Sequence, residues 1–300
     1  MALLGAINYD PASAVTKACT SLLAMTAIDT TNLRITFTAP ANGIVMVRIR
    51  CTELGATSYP SILLGILEGA TVKARLSPIG ALAGTSVATT CVTQEALFLV
   101  PGLIAGNSYT WDAAYGVEIV ATSTAIKYGG PNDASGADAW GGLQFEISDV
   151  PSCLGAKLYD PSSLTSNSTA SLLAMTAIDT TNLRITFTAP VSGKVFCRLA
   201  GLTHGATASP QILFGVLDGS TVRGRVIPMG GLKEAGSSTA RLALEGEFVV
   251  SGLTGGNSYS FDAAYGVQTV VASTAIKYGG PNNTTTNDAF GAFQFQIFAV

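Results

Sequence analysis

The sequence predicts an all-β chain made of two tandem jelly-roll β-sandwich domains, residues 1–150 and 151–300, related by internal duplication. Three observations carry this. Ser21 to Pro40, SLLAMTAIDTTNLRITFTAP, returns unchanged at Ser171 to Pro190; Asp112 to Val117 matches Asp262 to Val267; and Ser123 to Asn132 matches Ser273 to Asn282. Every match has an offset of 150 residues, which is a domain length and not the period of a short-repeat solenoid. Apolar residues recur with period two, and turn-forming residues interrupt them at short, even intervals.

In chain order the first copy reads as strands over 22–28, 33–38, 44–51, 61–67, 70–77, 94–100, 108–117, 124–129 and 142–149. Turn signals separate them: Asp29-Thr30-Thr31-Asn32, Ala39-Pro40-Ala41-Asn42-Gly43, Glu68-Gly69, Pro101-Gly102 and Gly129-Gly130-Pro131-Asn132. Divergence between the copies marks the faces. Val45, Val47 and Ile49 become Val195, Cys197 and Leu199, whereas Ile44, Met46 and Arg50 become Lys194, Phe196 and Ala200. One face stays apolar while the other varies, as in a half-buried strand. Leu143, Phe145 and Ile147 behave likewise against Phe293, Phe295 and Ile297. The boundary falls near Pro151-Ser152 with almost no linker.

Phe37-Thr38-Ala39-Pro40-Ala41-Asn42-Gly43-Ile44-Val45 resembles the strand-turn-strand of the C1q/tumour-necrosis-factor-like jelly rolls. Phe98-Leu99-Val100 followed by Leu103 to Tyr109, and the closing Phe290-Gly291-Ala292-Phe293-Gln294-Phe295, are similar to later motifs of that family, although Asn107 stands where an acidic residue is usual. The resemblance implies an eight-to-ten-stranded jelly roll that forms trimers around an aromatic-lined axis. In style the chain also resembles bacteriophage virion proteins, both capsid decoration (cement) proteins and head or tail fibres. The grounds are Ala/Thr/Gly-rich strands, little charge, a single histidine and tandem duplication.

Composition narrows the function classes. Hydrophobic residues make up 48% and charged residues 12%, about half the usual share of charge. Mean hydropathy is +0.41, yet no apolar run approaches the ~18 residues of a spanning helix. The apolar surplus is therefore expected in cores and subunit interfaces. A net charge of −3 and scattered basic residues lack the footprint of a nucleic-acid binder, and no basic amphipathic helix points to a membrane surface. The N-terminal Met1 to Ala6 has no charged region or long apolar core, and Leu4 to Pro11 recurs as Leu154 to Pro161, so it reads as domain material and not a leader. Cys19, Cys51, Cys91, Cys153 and Cys197 occupy no shared repeat position, which argues for buried free thiols over a disulfide framework.

Catalytic and metal chemistry find little foothold. The one histidine, His204, corresponds to Leu54 and reads as surface decoration in a variable loop, so no catalytic residue is expected and the chain reads as non-enzymatic. No cofactor and no metal set is expected. The loops at 131–138 and 281–288 offer oxygen ligands for calcium but read first as turns. Trp111 becomes Phe261 and Trp140 becomes Phe290, keeping bulk but not the indole N–H, which indicates packing more than sugar contact. Tyr115, Tyr265, Tyr128 and Tyr278 are kept and are candidates for a subunit interface or a glycan platform. Segments 61–67 and 211–217 are apolar on both phases, so Leu63, Leu67, Leu213 and Leu217 are candidates for an outer contact with another domain or subunit. The charges shared by both copies, Arg34/Arg184, Arg48/Arg198, Asp112/Asp262 and Lys127/Lys277, suit structural or inter-subunit ion pairs.

The expectation is a structural virion protein made in a host cytoplasm and bound to a capsid surface. Its partners would be itself, as a homotrimer, and the major capsid protein. A fibre or receptor-binding module recognising host glycan is the first alternative, and a secreted C1q-like adhesion domain the second.

Overall fold

The structure, a computed structural model, describes residues 1–20, 22–54, 62–78, 91–117, 124–131, 138–204, 212–229, 241–267, 270, 274–282 and 289–300. All regular elements among them are strands. The first copy contributes β1 Leu3–Tyr9, β2 Val15–Ala18, β3 Thr26–Ala27, β4 Arg34–Thr38, β5 Val45–Leu54, β6 Ile62–Glu68, β7 Thr71–Leu76, β8 Cys91–Val100, β9 Ser108–Val117, β10 Ala125–Tyr128 and β11 Leu143–Asp149. The second contributes β12 Cys153–Tyr159, β13 Thr165–Ser168, β14 Thr176–Ala177, β15 Arg184–Thr188, β16 Val195–His204, β17 Ile212–Asp218, β18 Thr221–Val226, β19 Arg241–Val250, β20 Ser258–Val267, β21 Ala275–Tyr278 and β22 Phe293–Ala299.

Each copy forms two antiparallel sheets, as a jelly-roll sandwich requires. One has the order β1-β11-β5-β10-β2 with β8 on the far side of β5, and its counterpart is β12-β22-β16-β21-β13 with β19 beside β16. The other runs β3-β9-β6-β7 with β4 also beside β9, repeated as β14-β20-β17-β18 with β15. The period-two pattern places the core. Val45, Val47 and Ile49 are fully buried on β5, and Val195, Cys197 and Leu199 on β16. Trp111 and Phe261 are equally buried, and the Trp111 indole N–H has no hydrogen-bond partner among the described residues, so phenylalanine there gives up nothing polar.

The sequence expectations miss two strands and overextend one. β1 and β2 lie outside the expected set because each alternates only between exposed and half-buried positions, with no fully apolar face. The segment 22–28 is expected as a strand, but only Thr26–Ala27 pairs. Met25 instead lays its side chain over the sheet. A Cβ on Gly65 or Gly116 would come within 2.8 Å of it, so glycine at both positions makes the floor on which the thioether rests.

The chain divides into two compact units whose bounds cross the sequence repeat. Unit 1 comprises Met1–Phe98, Gly102–Asp149 and Gly280–Gly291; unit 2 comprises Leu99–Pro101, Val150–Gly279 and Ala292–Val300. The segment Gly280–Gly291, from the second copy of the sequence, thus belongs to unit 1.

Candidate assembly surface

β7 ends its sheet in unit 1, and β18 ends the corresponding sheet in unit 2. An edge strand presents free backbone groups and invites a further strand. In unit 1 the segment Gly280–Gly291 takes that place: Leu76 and Gly291 form an antiparallel bridge. The Arg75 guanidinium, 2% exposed, donates to the Gly280 carbonyl and, at 2.6 Å, to the Pro281 carbonyl. Gly291 lies at a φ of +73°, and a Cβ there would sit 3.0 Å from the Arg75 carbonyl oxygen, so the close approach needs glycine. Ala289 completes an apolar cluster with Met25, Leu63, Leu67 and Ala114, and Ala27 and Val72 pack beside it. Phe290 is 1% exposed.

These contacts explain why β6 is apolar on both phases. Leu64 and Ile66 pair across from Tyr115 and Ala113, whose side chains share the inner phase of β9 with Trp111; Leu63 and Leu67 pair across from Gly116 and Asp112 on the outer face. Both leucines are buried.

The same surface of unit 2 is open. β7 is buried over Ala74, Arg75 and Leu76, whereas in β18 Val222, Arg223 and Arg225 are exposed and Gly224 and Val226 half-buried. Leu213 is half-buried, Leu217 buried. Ile227 is 58% exposed and Met229 65%. Leu173 is 73% exposed, although its counterpart Leu23 lies half-buried in an identical stretch of sequence. Of the described residues in the equivalent stretch of the first copy, Asp138, Ala139 and Gly141 are exposed, Pro131 is half-buried, Gly130 is buried, and Trp140 is half-buried beneath the Lys127 ammonium, 5.0 Å from its ring centroid.

The kept tyrosines lie inside their own units. Tyr128 and Tyr278 are 1% exposed and tilt against Tyr9 and Tyr159; Tyr115 and Tyr265 are also buried, and the Tyr265 hydroxyl donates to the Ser168 carbonyl. The shared arginines pair with carboxylates within their own copy. Arg34 holds Asp112 in a bidentate pair at 2.7 and 2.8 Å, and Arg184 holds Asp262 in the same way. Arg48 reaches Glu95 and Glu146; Arg198 reaches Glu245 and Glu247. Burial opposes ionisation of Glu95, but hydrogen bonds and charge from Arg50 and Arg48 hold its carboxyl below the usual range. Burial and then the Glu245 hydrogen bond and charge push Glu247 up, against a smaller pull from Arg198.

His204 is not in a loop. It ends β16 opposite Arg241, is half-buried, and accepts at Nδ1 from the Lys277 ammonium at 2.9 Å. The most buried carboxyl group on the sequence's first copy is Glu53, whose Oε2 accepts from Gln94 Nε2 at 2.7 Å. Thr203 and Leu244 stand in their places in the second copy, so the pair is not a shared site. No group of three or more His, Cys, Asp or Glu suited to a metal occurs among the described residues, and the calcium candidates fall largely on 132–137 and 283–288, outside them. No helix among the described residues is long and apolar enough to cross a membrane.

Sequence reasoning singled out Leu63 and Leu67, which pack in the Ala289 cluster, but not Arg75, which holds the Gly280 and Pro281 carbonyls. The signal is a charge kept on an edge strand whose neighbours diverge, TVKARL against TVRGRV.

No family model matches the chain, and no curated protein does. Among solved structures, a crystal structure of peptide-N(4)-(N-acetyl-beta-D-glucosaminyl) asparagine amidase is 11% identical, with 99% of this chain and 97% of that one covered at a TM-score of 0.38. The N-terminal CBM22-1-CBM22-2 tandem domain of Paenibacillus barcinonensis Xyn10C is 10% identical, covering 99% and 98% at 0.23. A turret protein of Sulfolobus turreted icosahedral virus is 11% identical, covering 98% of each chain at 0.16. Likenesses this distant decide neither an enzymatic nor a structural role.

Proposed function

We propose that this chain is a non-enzymatic structural component of a virion, a decoration protein that binds the outer surface of a phage capsid as an oligomer and reinforces it. The observation that carries the reading is the edge strand β18 of unit 2, where Val222 and Arg225 are exposed although their counterparts Val72 and Arg75 in unit 1 are half-buried and buried. An exposed edge strand on a chain with so little charge calls for a protein partner. The phage assignment and the C1q-like trimer rest on the sequence resemblance, and binding would combine burial of that edge between subunits with loop contacts to the major capsid protein. Tyr115 and Tyr265 are 7% exposed and present little ring face to a sugar, which weighs against the glycan-binding reading at those two residues. The test is co-sedimentation with expanded phage heads stripped of accessory proteins. The chain should pellet with them and raise the temperature at which they release DNA. A chain that stays in the supernatant and leaves that temperature unchanged defeats the reading.

A further inference from the structure

We infer that the β18 edge of unit 2 receives residues 138–141 of a second copy of this chain, so that chains join head to tail through one repeated interface. The inference rests on the assembly reading above but not on a capsid.

The interface already exists once inside unit 1. There the Gly280–Gly291 arm adds to β7, with Arg75 gripping the Gly280 and Pro281 carbonyls and Ala289 closing the cluster of Met25, Leu63, Leu67 and Ala114. Each of these residues has an identical counterpart 150 positions away: Gly130, Pro131, Ala139 and Gly141 on the arm, and Arg225, Met175, Leu213, Leu217 and Ala264 on the edge. Leu76 and Phe290 differ as Val226 and Trp140, both apolar, and on the edge strand Lys73 and Ala74 differ as Arg223 and Gly224.

The second set stands unassembled. Arg225 is exposed where Arg75 is buried, and Ala139 is exposed where Ala289 is buried. A Cβ on Gly291 would press on the Arg75 carbonyl, whereas one on Gly141 would meet nothing within 4 Å, though both glycines hold a positive φ. The exposed Ala139 and Gly141 and the exposed Arg225 on one chain, counterparts of residues that already mate in unit 1, define a heterologous contact. Main-chain addition to an edge strand supplies the register, and the arginine and alanine supply the fit. Such contacts repeat until a ring closes, and closure after three chains would give the trimer that the sequence resemblance implies.

The test uses the full chain with Arg225→Glu on the edge and Trp140→Glu on the arm, both at positions that are not buried, with circular dichroism to verify folding. Light scattering should show the wild-type chain as an oligomer and each variant as a monomer. Mixed together, the two variants should form a one-to-one pair, because the Arg225→Glu chain keeps a working arm and the Trp140→Glu chain a working edge. A wild-type chain that is monomeric at 100 μM overturns the inference, as does a folded variant that still assembles. Monomeric variants that fail to pair overturn the head-to-tail geometry, since that geometry leaves one intact contact between them. A wild-type oligomer that behaves as expected but ignores phage heads would defeat only the decoration reading.

Discussion

Leu23 and Leu173 occupy identical stretches of twenty residues, yet one is half-buried and the other 73% exposed. Local sequence therefore does not set the difference. Within this surface the covering element is Gly280–Gly291, placed over Met25, Leu63 and Leu67 by a bridge at Leu76 and by Arg75. Unit 2 keeps Met175, Leu213, Leu217, Ala264 and Arg225 at the matching positions, and among its described residues Arg225 is exposed and Met175 and Leu213 are half-buried. The two edges are thus an internal control: the same apolar face, once satisfied and once not.

The largest test of that contrast removes one leucine from each face. Leu63→Ala should cost unit 1 about 2–5 kcal/mol, the usual range for a fully enclosed leucine that leaves a cavity. Leu213→Ala, at a half-buried site, should cost unit 2 only about 1 kcal/mol while the chain is kept dilute enough to be monomeric. Both tryptophans, Trp111 and Trp140, lie in unit 1, so urea unfolding followed by tryptophan fluorescence reports that unit alone, while far-ultraviolet circular dichroism sees both. Leu63→Ala should shift the fluorescence transition to lower urea. Leu213→Ala should leave it in place. Equal losses would mean that Leu213 is as enclosed as Leu63, and the contrast would be lost.

A smaller effect sharpens the comparison through charge. In unit 1 two arginines serve Glu95; in unit 2 Arg198 faces both Glu245 and Glu247, because Arg50 has become Ala200 and Leu97 has become Glu247. Glu95 titrates low, so its stabilisation is present above the unfolded carboxylate pKa and is lost as pH falls through the folded value. Glu247 titrates high, so the folded state holds a proton that the unfolded state releases, and unit 2 loses stability as pH rises from the ordinary carboxylate value through the folded one. Glu95→Gln should therefore weaken unit 1 at pH 7, and Glu247→Gln should strengthen unit 2. Each effect should be a few tenths of a kcal/mol, since both sites are partly solvated, and should shrink below the ordinary carboxylate range. The same sign for both substitutions in urea titrations at pH 7 would refute the assignment.

The duplication made much of this legible in sequence. Comparing Ile44 to Cys51 with its copy separates a constant face from a variable one, and β5 buries that constant face. The outer leucines of β6 are legible for the same reason: no surface strand stays apolar on both phases unless something lies on it. What covers them is not legible. Residues 289–291 and 139–141 read AFG and AWG, but the first are buried in unit 1 while Ala139 and Gly141 are exposed. That distinction arises from tertiary placement, which residue pattern does not encode. Tyr128 and Tyr278 show the converse error of inference: residues kept in both copies suggest a shared surface, but both rings are core members packed on Tyr9 and Tyr159.

The smallest effect reads both units through their thiols. Cys91 is exposed, and Cys19, Cys51, Cys153 and Cys197 are buried. Burial pushes the Cys19 and Cys197 thiols up to about 12 and Cys153 up to about 11, and raises Cys51 too. Thiolate is the reactive form, so at pH 8 a thiol-disulfide reagent should modify one cysteine in the native chain at once and all five in denaturant. Cys91→Ser should abolish the fast phase. The remaining four can react only when their units open, Cys19 and Cys51 with unit 1, Cys153 and Cys197 with unit 2. In dilute urea, Leu63→Ala should therefore speed the labelling of Cys19 and Cys51 and leave Cys153 and Cys197 at their wild-type rate. If all four accelerate together, the units open as one body, and the covered and open edges cannot be assigned separate stabilities.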